Sequence, residues 1–259
     1  VLGEVIALDR SDCDLSDPAA IRAVVQRIRP DIIINPAAHT AVDRAESETE
    51  LATLLNSTAP QVLAEEAAKL GALLVHYSTD YVFDGTKDGA YTETDSTNPQ
   101  SVYGKTKLAG ELAVAAANPR HLIFRTSWVF GAHGANFLKT MLRLMQQRDA
   151  LSVVADQIGA PTSACLIADA TAQIIAQYLR SPDQARFSFG TYHLVAAGET
   201  SWHGYALLVN DFASQHGYTL KVSGDEIKAI PASDYPVPAP RPANSRLNTE
   251  KLQDTFGLL

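Results

Sequence analysis

The sequence alternates short apolar runs with longer segments of helical periodicity, and this alternation is what most constrains the fold. The apolar runs, rich in Val, Ile and Leu, span residues 4–8, 31–38, 72–78, 121–128, 151–155 and 191–198. Between them, apolar residues recur at three- and four-residue spacing over 18–29, 49–71, 105–117, 135–148 and 165–180. Apolar strands joined by helices predict a parallel sheet covered on both faces. We therefore expect a doubly wound α/β fold, in which ligands bind at the carboxyl ends of the strands.

The last part of the chain, from residue 217 onward, has a different composition. The segment AIPASDYPVPAPRPANSRLNTEKLQ is rich in proline and contains a helix start at NTEKL. A proline-rich stretch is often a linker or a disordered tail. Here Tyr235, Val237 and Leu247 are interleaved with the prolines and favour an ordered loop that packs on the main body. We therefore expect a smaller lobe appended to the sheet.

The beginning of the sequence lacks a feature that dinucleotide-binding folds of this class normally have. Such folds open with a strand and a glycine-rich turn whose N–H groups face the pyrophosphate. This sequence begins at VLGEVIALD, which is typical of the second strand and ends in Asp9. Either the first strand–helix unit is missing from the chain, or a dinucleotide is not bound in the usual way. The start at Val1, without an initiator Met, favours the first explanation.

Charge and cysteine content limit the class of partner. A formal net charge of -8 argues against nucleic acid or an anionic membrane as the main partner, since basic patches bind those surfaces. A small molecule is the expected ligand. Cys13 and Cys165 have no disulfide or zinc-site spacing. No apolar run is long enough to span a membrane and no export signal is visible, so the cytoplasm is the simplest compartment.

Polar side chains follow the apolar run at 72–78. Thr79, Asp80 and Tyr81 come directly after this predicted strand, at the edge where the active sites of parallel sheets gather. This position makes them candidates for catalysis. The alternative is a strand-to-loop turn in which the hydroxyl and carboxylate groups only satisfy free backbone groups.

The string YGKTK places Tyr103 and Lys107 one helical turn apart on one face of a predicted helix. A free tyrosine has a pKa of about 10, and a cation held close favours the phenolate and lowers that pKa. If the helix leaves the same sheet edge, Thr79 would hold a ketone oxygen while Tyr103 protonates it and a nicotinamide supplies hydride. The alternative is an exposed tyrosine beside a solvated lysine.

Several strings occur in the order and spacing of one known family. They are DLSDP, PDIIINPAAHTAVDRAE, STDYVFDG, YGKTKLAGE, RTSWVFG, DQIGAPT and RPANSRL. On these strings the sequence resembles the dTDP-4-dehydrorhamnose reductases, which belong to the extended short-chain dehydrogenases. The resemblance implies a Rossmann-like dinucleotide-binding domain at residues 1–153 and 164–216. It also implies a small C-terminal substrate-binding lobe at 154–163 and 217–259.

The reaction implied by the resemblance is a ketone reduction. The C4 keto group of dTDP-4-dehydro-L-rhamnose would be reduced to give dTDP-L-rhamnose, a nucleotide sugar used in cell-surface polysaccharide biosynthesis. NADPH is expected as the cofactor in preference to NADH, and the substrate partner is a dTDP-sugar. Relatives suggest a homodimer, and some of them hold Mg²⁺ at a subunit contact. The sequence leaves open whether Mg²⁺ binds at such a contact here.

The resemblance also implies roles for individual residues. Thr79, Tyr103 and Lys107 match the family's catalytic trio, and Lys107 would also bind the nicotinamide ribose. Cofactor contacts are implied for Asp14, Leu15, Ala37, Ala38, Thr40, Tyr103 and Lys107. Substrate contacts are implied for Thr40, Val42, Thr79, Asp80, Tyr81 and Trp128. An indole suits a 6-deoxy sugar because it offers an apolar face and one N–H donor.

Several of these residues have structural alternatives that the sequence leaves open. Thr40 or Asp43 could cap a helix instead of contacting a ligand, and Trp128 could be a core residue. His39 and His76 are expected to be hydrogen-bonded packing residues, and no metal site is predicted.

The function also has alternatives. The segment from Arg241 to Arg246 could meet a nucleotide diphosphate, since guanidinium groups suit phosphate oxygens. The sequence also resembles the methionine adenosyltransferase β subunit, which is a non-catalytic regulator, but the retained catalytic trio and Trp128 favour catalysis. An epimerase or dehydratase on a related nucleotide sugar would need a second acid or base, of which Asp80 supplies only one half.

Overall fold

The computed structural model describes residues 2–258. The helices are α1 (Pro18–Ile28), α2 (Val42–Ala45), α3 (Thr49–Thr53), α4 (Ala59–Leu70), α5 (Val102–Ala117), α6 (Phe137–Gln147), α7 (Ala164–Arg180), α8 (Trp202–Gln215) and α9 (Glu250–Phe256). The strands are β1 (Ile32–Asn35), β2 (Leu73–Thr79), β3 (His121–Thr126), β4 (Val129–Phe130), β5 (Leu151–Val154), β6 (Ile158–Gly159), β7 (Thr162–Ser163), β8 (Gly190–His193), β9 (Thr200–Ser201) and β10 (Ile227–Ile230). A π-helical segment, Leu54–Thr58, joins α3 to α4.

Four strands form the central sheet in the order β1-β2-β3-β8, and all of them are parallel. Val75 of β2 lies opposite Ile34 of β1 and Leu122 of β3, which sets the register. Helices connect the consecutive strands, as parallel pairing requires. The predicted α/β fold with a parallel sheet is therefore confirmed.

Helices cover both faces of this sheet because successive side chains of a strand point to opposite faces. On β2, Leu73 and Val75 pack in one cluster with Ile174 of α7 and with α9. The intervening Leu74 packs in a second cluster with Ile21 of α1 and with α4. All five side chains are buried, so the continuously apolar strand reflects burial on both sides.

The apolar run at 4–8 does not form the predicted strand. Residues 2–9 contain no helix or strand, and Val5 is 82% exposed. A strand needs a hydrogen-bonded neighbour, and none of the strands within residues 2–258 pairs with this run. The prediction is wrong because an apolar pattern does not by itself supply a ladder partner.

The strand predicted at 151–155 is present as β5, but it lies outside the central sheet. It pairs in parallel with β10, and α6 and α8 pack on this pair around Met145, Tyr205 and Val209. The expectation that this run extends the central sheet is wrong, because its hydrogen-bond partner comes from the C-terminal part of the chain. Helix α8 was not predicted, although Tyr205, Val209 and Ala213 recur at helical spacing in its sequence.

The proline-rich segment is an ordered loop packed on the rest of the molecule, as predicted. Ala239 and Leu247 are buried, and Leu247 forms a parallel bridge with Tyr91. Tyr235, which was expected to pack, is exposed instead. Helix α9 begins next to the predicted helix start. The two sequence-derived domain boundaries stay a prediction.

Two glycines allow α5 to approach its neighbours closely. A Cβ on Gly104 would overlap the carbonyl oxygen of Tyr81, and a Cβ on Gly110 would overlap the carbonyl oxygen of Asn56 in the π-helical segment. The first turn of α5 is fixed by Ser101, whose hydroxyl accepts a hydrogen bond from the Gly104 N–H at 3.1 Å. The position of α5 against the sheet edge therefore depends on residues without side chains.

We expect Gly110→Ala to destabilise the protein by about 1–3 kcal/mol, because the added methyl group meets backbone that has to move. Replacing a glycine within a helix by alanine usually increases the stability of the protein, so the effect expected here has the opposite sign. Denaturant unfolding measures the difference. Gly224→Ala is the control, since its Cβ would come no nearer than 3.9 Å to another side chain. A stabilising effect of Gly110→Ala would contradict this account of the packing.

Candidate active site

Loops at the carboxyl edge of the central sheet carry most of the predicted site residues. β1 ends at Asn35, β2 at Thr79 and β3 at Thr126, and Thr79 lies beside Thr126 in the register. Because the strands are parallel, the residues that follow them meet at one edge. Helix α5 begins at the same edge, since it leads from β2 back to the start of β3.

Thr79 and Asp80 are buried at this edge. The Thr79 hydroxyl donates a hydrogen bond to Asp80 Oδ1 at 3.0 Å and accepts one from the Tyr81 N–H at 3.2 Å. The second bond caps the 3₁₀ turn that begins at Asp80. Thr79 thus satisfies a backbone group, as the turn interpretation expects, and the same two bonds orient its hydroxyl.

Burial raises the pKa of Asp80 to about 6, because the ionised carboxylate loses its hydration. The nearby Ser245 and Thr79 hydroxyls act in the opposite direction. The pKa of Asp80 therefore lies closer to neutral pH than the pKa of an exposed carboxyl group does. This places a carboxyl group that can change charge beside the Thr79 hydroxyl.

We expect the stability of the protein relative to Asp80→Asn to fall as pH rises from about 4 to 6. Well below pH 4 Asp80 is protonated in both the folded and the unfolded chain, whereas above pH 6 the folded protein bears the cost of a buried charge. The shift of the pKa corresponds to a loss of about 3 kcal/mol across this window. Denaturant unfolding at pH 4 and pH 7 measures it.

Asp84→Asn is the matched control with the opposite sign. Hydrogen bonds from Thr86 and Asn98 lower the pKa of Asp84, so its contribution is present at neutral pH and is lost on acidification. A pH-independent difference between the protein and Asp80→Asn would show that the Asp80 carboxylate is not destabilised by burial.

Tyr103 lies in the first turn of α5, with its ring centroid 5.4 Å from that of Tyr81. Burial raises the pKa of Tyr103 to about 12, and the nearby Thr79 hydroxyl acts in the opposite direction. The prediction that Lys107 lowers this pKa is wrong. The Lys107 ammonium donates to the Tyr77 carbonyl at 2.6 Å and is not paired with the phenol. The phenol is thus protonated at neutral pH, the form that a proton donor needs.

Lys107 is buried one helical turn after Tyr103, and its ammonium nitrogen lies 3.3 Å from His76 Nε2. Burial lowers the pKa of Lys107 to about 8, while the charge of Glu111, one further turn along α5, acts in the opposite direction. The alternative of a solvated lysine is therefore wrong. Tyr103, Lys107 and Glu111 form a stripe on one face of α5.

The structure brings Thr79, Tyr103 and Lys107 together at the end of β2. Thr79 is the last residue of the strand, Lys107 bonds to the carbonyl two residues before it, and the Thr79 hydroxyl is close enough to Tyr103 to act on the pKa of its phenol. Two hydroxyl groups and an ammonium group at one place can hold and protonate a ketone oxygen.

Asp14 and Leu15 lie just before α1. Because α1 leads into the start of β1, its own start faces the carboxyl edge of the sheet. Asp14 accepts hydrogen bonds from the N–H and the hydroxyl of Ser16, which lower the pKa of Asp14. Leu15 packs against the cluster that contains α1 and α4. Both residues therefore lie near the carboxyl edge of the sheet, and their roles as cofactor contacts stay a prediction.

Ala37, Ala38 and Thr40 lie in the loop after β1. The Ala37 N–H donates to the Asn35 side chain at 3.2 Å. Ala37 and Thr40 are exposed and Ala38 is half-buried, so small side chains leave this backbone open to a ligand. Their roles as cofactor contacts stay a prediction.

Neither Thr40 nor Asp43 caps a helix, so the capping alternative is wrong. Helix α2 begins at Val42 without a side-chain cap, and half-buried Val42 lies at the loop end. Asp43 Oδ2 instead accepts a hydrogen bond from Arg241 at 2.8 Å, which ties the proline-rich loop to α2.

The two arginines of the segment 241–246 are held by different carboxylates. Arg241 pairs with Asp43, whereas Arg246 lies 3.3 Å from Glu199. Tyr81 lies near Arg241, and burial raises the pKa of Tyr81. The expected contact of this segment with a diphosphate stays a prediction.

His39 and His76 are packing residues with hydrogen bonds, as predicted. His39 lies 2.9 Å from Glu48, and His76 Nδ1 lies 3.3 Å from the Asn35 side chain. Burial lowers the pKa of His76 well below its usual value, with the Lys107 charge adding to the effect.

Trp128 follows β3 at the same edge and is half-buried, so it is not a core residue. Its indole stacks on Trp202 with centroids 3.5 Å apart and planes 12° apart. Trp202 was not predicted as a site residue, because nothing in the sequence indicates which aromatic residue of α8 reaches the sheet edge.

Asn56 and Ser245 were also missed. Asn56 is buried and accepts a hydrogen bond from the His39 N–H at 2.8 Å, and its amide donates to the Thr106 hydroxyl at 3.1 Å. It therefore links the loop after β1 to α5. An asparagine within an apolar helical segment was a usable signal, because such residues are unfavourable there unless they are bonded.

Within residues 2–258, no helix is long and apolar enough to cross a membrane. The same part of the chain contains no group of three or more His, Cys, Asp or Glu side chains arranged to hold a metal ion.

Comparisons with known proteins identify the family of the chain. A family model described as the RmlD substrate binding domain matches residues 2–259. The dTDP-4-dehydrorhamnose reductase of Salmonella typhimurium is 55% identical over 262 residues, covering 100% of this chain and 86% of that protein. The enzyme of the same name from Escherichia coli K12 is 51% identical with the same coverage.

A solved structure is also similar. The dTDP-4-dehydrorhamnose reductase of Bacillus anthracis, crystallised in complex with NADP, superposes with a TM-score of 0.88 at 34% identity. The alignment covers 99% of this chain and 85% of that one.

Proposed function

The chain belongs to the dTDP-4-dehydrorhamnose reductase family, and we propose that it reduces the C4 keto group of dTDP-4-dehydro-L-rhamnose to give dTDP-L-rhamnose. The observation that carries this proposal is the meeting of Thr79, Tyr103 and Lys107 at the end of β2. A proton donor, a second hydroxyl and a cation at the carboxyl edge of a parallel sheet are what ketone reduction requires.

The proposed roles follow from the contacts. Tyr103, protonated at neutral pH, gives its proton to the C4 oxygen as the carbonyl becomes an alkoxide. The Thr79 hydroxyl, which donates its single proton to Asp80 Oδ1 in the absence of substrate, turns to donate it to the same oxygen when the keto-sugar binds. NADPH supplies the hydride when bound. Lys107, whose ammonium donates to the Tyr77 carbonyl instead of pairing with the phenol, is proposed to act on the cofactor.

The cofactor is proposed to lie across the loops that follow β1 and precede α1. The small side chains of Ala37 and Ala38 permit close approach, and Lys107, bonded to the Tyr77 carbonyl, retains N–H donors for a ribose. Asp14 and Leu15 would line the adenine pocket. NADPH is preferred over NADH, in line with the NADP complex of the Bacillus anthracis relative.

The substrate is proposed to occupy the same edge on the side of Trp128. Thr40, Val42, Asp80 and Tyr81 would contact the sugar together with that indole. We also propose a cytoplasmic location and a homodimer, which the family resemblance suggests. A regulatory or epimerase function is not favoured by any feature of this site.

Purified full-length protein should oxidise NADPH when given dTDP-4-dehydro-L-rhamnose. Absorbance at the NADPH band measures the reaction, and the alcohol product is identified by mass spectrometry. Other dTDP- and GDP-linked keto-sugars, each with NADPH and NADH, define the specificity. The proposal fails if NADPH is not consumed with any of these sugars while the protein still binds the cofactor.

A further inference from the structure

Trp128 has an uncommon backbone conformation at the carboxyl edge of the sheet. Its φ of +50° lies in the left-handed region, which residues other than glycine rarely adopt. Such residues persist only where the surrounding structure holds them in place. The Trp128 carbonyl accepts a hydrogen bond from the Thr162 N–H at 3.2 Å, but this bond does not orient the indole.

Trp202, the first residue of α8, makes the contact that does orient the indole. The two indoles are stacked with centroids 3.5 Å apart. Trp202 also contacts Phe137 of α6, with centroids 4.6 Å apart. Trp202 therefore packs against the apolar cluster that α6 and α8 share. Because its own position is held by that cluster, Trp202 holds the stacked Trp128 indole in place.

Gly159 lies in close contact with the same indole. A Cβ at this position would lie 2.6 Å from Cε2 of Trp128, so a larger residue cannot fit unless the ring moves. Strands β6 and β9 are antiparallel, with Gly159 opposite Thr200. Trp202 directly follows β9. The pairing of β6 with β9 therefore brings both Gly159 and Trp202 to the Trp128 indole.

We propose that Trp202 is a positioning residue that, with Gly159, clamps Trp128 in its left-handed conformation as a ready-formed platform for the sugar. This inference rests on the proposed function, because it takes Trp128 as the sugar contact. Within residues 2–258 the Trp128 indole N–H makes no hydrogen bond, which leaves a donor for a sugar hydroxyl. Because the indole is already ordered before the substrate binds, no binding free energy is lost in ordering its side chain.

Trp202→Leu and Trp202→Phe test the clamp. We expect Trp202→Leu to raise KM for the keto-sugar roughly 3- to 10-fold, the range that one aromatic stack accounts for. KM for NADPH should be unchanged, and Trp202→Phe should restore the sugar KM to within about twofold. Leu208→Ala, on the exposed side of α8, is the control. An unchanged sugar KM in folded Trp202→Leu overturns the proposal.

Fluorescence provides a readout that does not depend on activity. The chain has two tryptophans, so Trp128 is the only one left in either variant. Acrylamide should quench Trp128 more strongly in Trp202→Leu than in Trp202→Phe, and equal quenching overturns the clamp. If the intact protein turns over no keto-sugar, the proposed function fails while the quenching comparison still decides the clamp.

Gly159→Ala covers the case in which Trp202→Leu does not fold. It keeps Trp202 but displaces the Trp128 ring, so the sugar KM should rise and the NADPH KM should stay unchanged. An unchanged sugar KM in Gly159→Ala overturns the role of the clamp.

Discussion

Tyr103→Phe should lower kcat for the keto-sugar by roughly 10²- to 10⁴-fold, the range in which general acid catalysis contributes. The substitution removes the phenolic proton and keeps the ring that meets Tyr81 edge-on. Because burial raises the pKa of Tyr103 to about 12, the group that is lost is a protonated donor throughout the neutral range. Steady-state kinetics at saturating NADPH measures the effect.

Cofactor binding separates a chemical role from a structural one. Tyr103→Phe should bind NADPH with little change in affinity, measured by the enhancement of cofactor fluorescence. Tyr218→Phe is the matched control, because Tyr218 is exposed in the loop that follows α8. A turnover number for Tyr103→Phe within about twofold of the parent would exclude Tyr103 as the proton donor.

Glu111→Gln should lower the free energy of unfolding by about 3–5 kcal/mol, because it leaves a buried arginine without its counter-charge. Arg125 of β3 donates to Glu111 through Nη2 at 2.6 Å and through Nε at 3.0 and 3.2 Å. Both side chains are buried. Urea unfolding followed by circular dichroism measures the loss.

The double variant Glu111→Leu/Arg125→Leu tests the physical cause. Removing both charges should cost clearly less than the sum of the two single changes, because no unpaired charge remains. Arg186→Gln is the control, since Arg186 and Asp183 form an exposed pair for which we expect no measurable loss. Additive effects of the two single changes would show that the ion pair is not coupled.

This ion pair has a consequence for the site. Glu111 lies on the same face of α5 as Tyr103 and Lys107, so the pair fixes the face of the helix that carries the proposed catalytic residues against β3. Partial loss of turnover in a folded Glu111 variant is therefore expected together with the loss of stability.

Much of the fold was predictable because periodicity reports burial. The runs at 72–78 and 121–128 correspond to β2 and β3, which are buried on both faces, and the helices between strands were recognised by three- and four-residue spacing. The run at 4–8 has the same composition and forms no strand. An apolar pattern specifies which residues avoid water, but it does not specify a hydrogen-bond partner.

The candidate site was predictable to a similar extent. The strings around Thr79 and Tyr103 could be placed at one sheet edge, because parallel strands direct their carboxyl ends the same way. The pKa of Tyr103 could not be predicted, since it depends on burial and on where the Lys107 ammonium points. Trp202 was missed because its contact with Trp128 joins segments that are distant in the chain.

The sequence by itself determined the central strands β1, β2, β3 and β8, the helices between them, their parallel arrangement and the family, since local spacing and short strings carry this information. The tertiary structure alone decided that β5 pairs with β10, that Glu111 meets Arg125, and that two indoles stack beside the site. These contacts join distant segments, and their energies depend on burial and geometry that arise only when the chain is folded.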